Sequence, residues 1–326
     1  MRDASPGAKN NGKKEKTMKL ATTTGDFGHY FRDNESKIRA LHRAGFRHID
    51  LSLYGDADPA SVFMQDGWEK EVTKIGSVAA GLGMDFVQSH APGGNPLLEG
   101  DSRDLLLAAT IRSLEICAML GIPNTVVHAG WADDLLYADR EAEETYFERN
   151  MAFYRELIPT MEKTGVMVLV ENTTHANMGD RWYLYTGQEM KDFLAYADHP
   201  LFGACWDTGH ANVEGHQYED LVTLGKDLRA IHFNDNRGGG DEHVMPYLGT
   251  MSVDEALCGM RDAGYDGVFT FECDSTTRPA SYWQGDRRRW KEEKAAEASL
   301  RLREALERAL YICGEEILAA YGYPVE

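Results

Sequence analysis

Eight short apolar runs recur along the chain at intervals of roughly 33 residues, the spacing of strands that alternate with helices. Most runs are unbroken stretches of apolar or β-branched residues, a pattern typical of strands that are covered on both faces. The predicted strands cover residues 19–24, 46–53, 84–90, 124–130, 166–172, 202–208, 228–235 and 267–273. We therefore expect a parallel sheet with helices packed outside it.

Amphipathic segments separate the runs, for example ESKIRALHRAG, RDLLLAATIRSLEICAMLG and VDEALCGMRDAGY. Several end at a glycine before the next strand, as expected when glycine caps a helix: Gly45, Gly83, Gly121 and Gly165. Eight strand–helix units predict a single-domain α/β protein with the (β/α)8 TIM-barrel fold. An open doubly wound sheet is the alternative, but its glycine-rich fingerprint is missing from TTTGDFGHY after the first strand.

The barrel is expected to occupy residues 18–326. Residues 1–17 are polar and lysine-bearing, and we expect a disordered leader there. An Arg/Glu-rich helix at about 287–320 is expected to be the eighth outer helix, with the basic cluster 287–289 on its surface.

Acidic residues outnumber basic residues by 53 to 34, which gives a formal net charge of −19. That excess argues against a protein whose main partner is a nucleic acid or an anionic membrane surface. The sequence has no apolar run of about 18 residues, so no membrane span is expected. The five cysteines form no CxxC pair, which makes a disulfide framework or a zinc–thiolate site unexpected. These features predict a cytoplasmic protein.

Polar residues of the kinds that bind metals stand at the carboxyl ends of six successive predicted strands. They are His90, His128, Glu171, Asp207, His232 and Glu272. In a barrel these ends converge on one face, where the loops build the active site. Two converging carboxylates at the ends of apolar strands repel each other unless a positive group holds them. A divalent cation satisfies this requirement, and Mn²⁺, Mg²⁺, Co²⁺ and Zn²⁺ all suit carboxylate and imidazole ligands.

Two local patterns add residues to this candidate site. In WDTGHAN, Asp207 and His210 stand three residues apart across a turn, so both can face the same space. In the glycine-rich loop after the seventh strand, Asp241 and His243 lie on one side of an extended segment. Asp241 and His243 either bind a metal directly or contact the metal-binding side chains or the substrate.

Aromatic residues in the loops of the same face favour a polyol ligand, because their rings stack on the apolar face of a sugar. The candidates are Trp68, Trp131, Trp182, Tyr183 and Tyr185, and packing within the loops is the alternative for each. Arg181, Arg237 and the glycines 238–240 are weaker candidates for holding a phosphate or hydroxyl group.

Taken together, these motifs resemble the xylose-isomerase-like barrels, a superfamily that includes sugar isomerases and epimerases, inosose dehydratases and endonuclease IV. The resemblance covers residues from about 19 to 310. Its motifs are SHAP (89–92), VVHAG (126–130), VENT (170–173), DTGHAN (207–212), HFNDN (232–236), DEH (241–243) and FEC (271–273).

The resemblance to the sugar-isomerizing branch implies one divalent metal, with Mn²⁺ expected first, held by Glu171, Asp207, His232 and Glu272. It also implies that both glutamates exchange protons with substrate carbon and that His210 contacts substrate oxygen. The expected substrate is a small keto-sugar or related polyol, contacted in addition by His90, His128, Trp131, Arg237, Asp241 and His243. Epimerization, isomerization and dehydration or lyase chemistry on this site all remain open, as does assembly into a homo-oligomer.

Two other functions compete with this expectation. Endonuclease IV binds three zinc ions through nine residues, and this chain matches all of them: His90, His128, Glu171, Asp207, His210, His232, Asp241, His243 and Glu272. A nuclease needs basic residues around its mouth, however, and the presumed loops here are acidic or aromatic. The third possibility is a partner-dependent barrel that serves as one subunit of a lyase complex acting on oxidised glycosides.

Overall fold

A computed structural model describes residues 17–277, 299–323 and 325. Eight parallel strands pair in chain order, and the last pairs with the first to close the sheet. The strands are β1 Lys19–Thr23, β2 His48–Ser52, β3 Asp85–His90, β4 Asn124–Val126, β5 Met167–Glu171, β6 Phe202–Asp207, β7 Leu228–Phe233 and β8 Val268–Phe271. The predicted (β/α)8 TIM barrel is confirmed.

Helices cover the outside of the barrel and connect its strands. They are α1 Asn34–Ala44, α2 Trp68–Gly81, α3 Asp101–Leu120, α4 Ala142–Thr164, α5 His175–Met178, α6 Gly187–Ala197, α7 Thr208–Glu214, α8 Gln217–Leu224, α9 Val253–Ala263 and α10 Leu300–Ala320. Gly121 and Gly165 directly follow α3 and α4 with φ of 72° and 73°. Glycine adopts this left-handed conformation without steric cost, as the predicted caps require.

The predicted strands were longer than the observed ones, most clearly in the fourth. The run 124–130 pairs as a strand only over Asn124–Val126, and by Gly130 the backbone N–H donates to Asn150 Oδ1 on α4 (2.6 Å). The chain therefore leaves the sheet after Val126, earlier than predicted, and enters the loop at the carboxyl end of the barrel. The C-terminal helix α10 falls within the predicted range, whereas residues 1–16 and the basic cluster 287–289 lie outside the described residues.

Among the described residues, two separate apolar clusters are buried. The larger one fills the space between strands and helices, and the smaller, which we call the inner cluster, contains Val126, Leu169, Cys205 and Ala230. Each of these four precedes a predicted site residue by two positions in the chain, and three of the pairs lie within one strand. Because alternate residues of a strand share a face, the inner cluster forms part of the floor beneath the strand-end residues. None of the helices in the described ranges is long and apolar enough to span a membrane.

The C-terminal helix is fixed to the barrel by a buried arginine. The guanidinium of Arg303 on α10 lies 3.0 Å from Asp26 Oδ1 and 2.7 Å from Glu307 Oε2, and all three side chains are buried. Burial and the neighbouring Asp26 carboxylate raise the pKa of Glu307 well above its usual range. Arg303 therefore joins α10 to the turn that follows β1.

Replacing Arg303 by methionine should lower the free energy of unfolding by about 3 kcal/mol, since two buried carboxyl groups would lose their cation. Urea denaturation measures this loss. Arg39→Met, which removes a solvent-exposed partner of Glu35, is the control and should leave stability unchanged. Equal stabilities of the two variants would contradict the assignment.

Candidate active site

The six predicted strand-end residues all lie at the carboxyl end of the barrel. His90, Glu171 and Asp207 are the last residues of β3, β5 and β6. His232 is the penultimate residue of β7, Glu272 follows β8 directly, and His128 lies two residues beyond β4. Parallel strands that end at the same edge of a closed barrel bring their final side chains together.

Glu171, Asp207, His232 and Glu272 form the centre of this site. One ligand atom of each lies within 4.8 Å of the ligand atoms of the other three. His232 Nδ1 lies 2.5 Å from Glu171 Oε1 and 3.2 Å from Glu272 Oε2. The side chains of Glu171, Asp207 and His232 are almost fully buried, whereas that of Glu272 is 22% exposed. Glu272 is thus the carboxylate of this group that is most open to the mouth.

Two histidines extend the site on the side of β3 and β4. His128 Nε2 lies 2.8 Å from Glu171 Oε2 and 3.1 Å from His90 Nε2. His90 Nδ1 pairs with the backbone oxygen of Ala91, so its other nitrogen faces the site. His90, His128 and Glu171 together form a second group with metal-ligand spacing.

A third group lies on the side of β6 and the loop after β7. His210 Nε2 lies 3.2 Å from Asp241 Oδ2, and His243 Nε2 lies 2.6 Å from Asp241 Oδ1. Asp207, His210 and His243 have ligand atoms close enough to hold an ion. The predicted placement of Asp241 and His243 on one side of their segment is therefore observed, and His210 faces the same space as Asp207.

Asp207 is held by the turn that links β6 to α7. Its Oδ1 accepts the backbone N–H of His210 (2.6 Å) and its Oδ2 accepts Asn234 Nδ2 (2.6 Å). Gly209 leaves room for the Asn234 amide, because a Cβ at Gly209 would lie 1.9 Å from Asn234 Oδ1. The DTGH sequence therefore serves both to cap α7 and to orient a carboxylate.

The loop after β7 is fastened by its own acidic residues. Asp235 accepts the backbone N–H groups of Gly249 and Met251, and Glu242 accepts that of Arg237. The Arg237 guanidinium pairs with Glu242 Oε1 at 3.2 Å and is more than half exposed. The structure thus gives Arg237 a partner within its loop, outside the central cluster, and its role as a substrate contact stays a prediction.

The electrostatics of the carboxyl groups follow from their neighbours. Burial opposes the ionisation of Glu171, but His232, His128 and His90 outweigh it and hold the pKa of Glu171 well below its usual range. Similarly, His243 and His210 overcome burial and hold the pKa of Asp241 well below its usual range. Burial raises the pKa of Asp207 to about 6, and the nearby Glu171 adds to the increase.

The imidazoles respond to the same concentration of negative charge. Burial lowers the pKa of His210, but Asp207 and Asp241 raise it to about 10. The pKa of His243 is likewise raised well above its usual range, by Asp241 and Glu272 against the effect of burial. Among the described residues, the buried Nδ1 atoms of both histidines have no hydrogen-bond partner. Carboxylates that attract this much positive charge are groups that also fit a divalent cation.

The predicted aromatic contacts divide into two sets. Trp182, Tyr183 and Tyr185 are at most 2% exposed and pack in the larger apolar cluster, so the packing alternative is the correct one for them. Trp131 is half-buried, and its backbone is held by Asn95. Trp68 lies beneath the guanidinium of Arg112, and Arg181 pairs with Asp133.

Two further described residues contact this site and were not predicted from the sequence, Tyr54 and Asp50. Tyr54, after β2, is 54% exposed, and its ring packs edge-on against His90 and His128. Asp50, within β2, is 1% exposed and lies 3.6 Å from His232 Nε2. An aspartate between Ile49 and Leu51, inside the predicted strand FRHIDLSL, was the signal that could have indicated Asp50.

The sequence model of the family described as xylose isomerase-like TIM barrels matches residues 38–305. The chain therefore belongs to this family. An uncharacterised protein from Sinorhizobium fredii is 26% identical over 255 residues, which cover 71% of this chain and 78% of that protein. A probable endonuclease 4 from Geobacter sulfurreducens is 28% identical over 187 residues, which cover 52% of this chain and 60% of the endonuclease.

Solved structures share the fold over nearly the whole chain. D-psicose 3-epimerase from Clostridium cellulolyticum H10, solved with D-tagatose, superposes with a TM-score of 0.69 at 19% identity and covers 92% of this chain and 99% of its own. The IOLI protein with a bound zinc atom superposes with a TM-score of 0.70 at 14% identity, covering 93% and 99%. At these identities the likeness establishes the shared fold.

Metal binding should stabilise the protein measurably. At a free Mn²⁺ or Zn²⁺ concentration about 100 times Kd, mass action adds about 2.7 kcal/mol to the free energy of unfolding, and EDTA should remove this gain. Denaturant unfolding with and without metal measures it. Asp207→Asn keeps the helix cap but loses a charge and should show a much smaller gain, whereas Asp85→Asn, at the opposite end of the barrel, should behave as wild type. No gain with any of the four candidate cations would contradict a metal site.

Proposed function

We propose that the protein is a divalent-metal-dependent isomerase or epimerase that acts on a small keto-sugar or related polyol in the cytoplasm. The observation that carries this proposal is the convergence of Glu171 and Glu272 with Asp207 and His232 around one point. Two carboxylates at a shared cation site are the groups needed to remove and return a proton next to a carbonyl.

The four central residues would hold the cation, for which we propose Mn²⁺ first. When bound, it supplies a Lewis acid that stabilises the negative charge of an enediolate formed from the substrate. Glu171 is held ionised by its three histidine neighbours, so it is ready to accept a proton. Glu272, the more exposed of the two glutamates, would take up a proton from solvent at the mouth of the site and return it to the substrate.

His210 has the complementary role toward substrate oxygen. Asp207 and Asp241 favour its positively charged form, and its Nε2 points into the space shared with Asp241. A cationic donor there would stabilise charge that develops on a carbonyl oxygen. His90, His128 and His243 line the same space and would contact substrate hydroxyl groups or hold a further ion.

The fate of the proton decides the product. Return to the opposite face of the same carbon gives an epimer, return to the adjacent carbon gives an isomer, and loss of a β-hydroxyl gives a dehydrated product. The structural neighbours support epimerization or isomerization of a sugar, since they include D-psicose 3-epimerase and 3-keto-D-glucoside 4-epimerase from E. coli. A 3-keto-glycoside is therefore included among the candidate substrates.

Glu171→Gln should reduce kcat by roughly 10²–10⁴-fold, because the amide cannot accept the proton. The reaction of wild-type protein in D₂O should incorporate deuterium at the carbon next to the carbonyl. Mass spectrometry of the product measures the exchange, and steady-state kinetics measures the variant.

Asp85→Asn is the matched control for this experiment, because it neutralises a carboxylate at the amino-terminal end of the same barrel. It should retain wild-type turnover. Normal turnover by Glu171→Gln would refute its role as base, and retention of substrate hydrogen in D₂O would favour a hydride shift instead.

Phosphodiester cleavage is the second candidate function. The observation in its favour is that the nine residues matching endonuclease IV lie in three adjoining groups that share Glu171 and Asp207. The similarity to probable endonuclease 4 adds to it. The net charge of −19 opposes it, because DNA binding requires cationic residues around the site.

One experiment separates the two functions. Metal analysis of the purified protein is combined with assays on a panel of ketoses, keto-inositols and 3-keto-glycosides and on an oligonucleotide with an abasic site. One ion per chain with sugar turnover is the expected result, since the central group alone provides four ligands. Three zinc ions per chain with nicking of the oligonucleotide would overturn the sugar proposal.

A further inference from the structure

The barrel layer directly below the candidate active site is apolar on one side and polar on the other. The inner cluster forms the apolar side. The polar side consists of Asp50 on β2, Gln88 on β3 and Thr270 on β8, all at most 1% exposed. Asp50 pairs with Gln88 immediately after a register shift between Ile49 and Asp50. Such bulges redirect side chains and are frequent next to active sites.

A series of hydrogen bonds orders these polar side chains. Thr270 Oγ1 donates to Gln88 Oε1 (3.5 Å), and Gln88 Nε2 donates to Asp50 Oδ2 (3.0 Å). The same Asp50 oxygen lies 3.6 Å from His232 Nε2. A shift of about 0.5 Å would bring these two atoms to hydrogen-bond distance.

Asp50 receives only a neutral amide donor from Gln88, at Oδ2, and its other oxygen Oδ1 has no hydrogen-bond partner among the described residues. Within residues 17–277, 299–323 and 325, His232 Nε2 has no hydrogen-bond partner, and no lysine or arginine lies within ion-pair distance of Asp50. A buried carboxylate is costly unless a donor or a positive group faces it. The N–H of His232 Nε2 is the group that Asp50 is placed to accept.

The other nitrogen of His232 faces the opposite way. Its Nδ1 lies between the oxygens of Glu171 and Glu272, at 2.5 Å and 3.2 Å. A metal ligand must present a lone pair, so a proton fixed on Nε2 leaves Nδ1 available. Histidines that bind metals generally donate their second ring nitrogen to a carboxylate or carbonyl group.

We propose that Asp50 is a positioning residue that fixes the ring orientation and tautomer of His232, so that Nδ1 is directed at a divalent cation. This inference rests on the metal site of the proposed function, but not on the identity of the substrate. Asp50 is not itself a ligand, because its carboxylate lies near Nε2 of His232, whereas Nδ1 is the nitrogen that lies near Glu171 and Glu272. Gln88 and Thr270 act one step further away by orienting the Asp50 carboxylate.

The test measures Zn²⁺ affinity of the metal-stripped full-length protein by competition with a chelating dye. Asp50→Leu is similar in size but cannot accept a hydrogen bond, and its Kd for Zn²⁺ should rise roughly 10- to 100-fold. Asp50→Asn retains an acceptor oxygen and should lose less affinity. Ser89→Ala removes a buried hydroxyl from the adjacent strand that contacts Thr125 and Cys117, and its affinity should equal that of wild type.

A spectroscopic measurement on wild-type protein makes the test independent of how the variants fold. In the zinc-loaded protein labelled with ¹⁵N-histidine, NMR should find the His232 proton on Nε2. Metal on Nε2 with the proton on Nδ1 would overturn the inference. An Asp50→Leu affinity within twofold of wild type would overturn it while leaving the metal site intact, whereas absence of Zn²⁺ binding by wild type would overturn the metal site as well.

Discussion

The concentration of buried carboxylates at the carboxyl end of the barrel is the constraint on which the rest of the site depends. Glu171 and Asp207 are almost fully removed from water, and Glu272 is close to both. Such a group is tolerated only where positive charge or hydrogen-bond donors compensate it. Five histidines face these carboxylates and Asp241, and their arrangement resembles a ligand shell more than an ordinary set of ion pairs.

Rigid supports hold this arrangement in place. The turn after β6 caps α7 with the Asp207 carboxylate itself, and the Asn234 amide fixes the second oxygen. The glycine-rich loop after β7 is fastened by hydrogen bonds from backbone N–H groups to Asp235 and Glu242. Site residues on strand ends with supported side chains are preorganised, as the proposed metal binding and proton transfer require.

Much of this arrangement could be predicted from the sequence, because it depends on the pattern of apolar and polar residues within short segments of the chain. Unbroken apolar runs indicated eight buried strands, and the polar residue ending each of six runs indicated a common site, since parallel strand ends must converge. Loop side chains were harder to assign. Trp182, Tyr183 and Tyr185 were candidates for sugar contacts, but they pack in the core, because nothing in a loop sequence says whether a side chain turns inward. Arg237 likewise pairs within its own loop.

The sequence by itself determined the fold class and the set of polar residues at the strand ends, because both can be identified from the pattern of neighbouring residues in the chain. Only the tertiary structure decided which side chains meet across the barrel. Asp50 on β2 and His232 on β7 lie close together although they stand 182 residues apart in the chain. The hydrogen bond between Thr270 and Gln88, which supports Asp50, spans the same distance in sequence. Such contacts depend on strand register, including the register shift just before Asp50, and a shift of one residue would turn the carboxylate to the other face of the sheet.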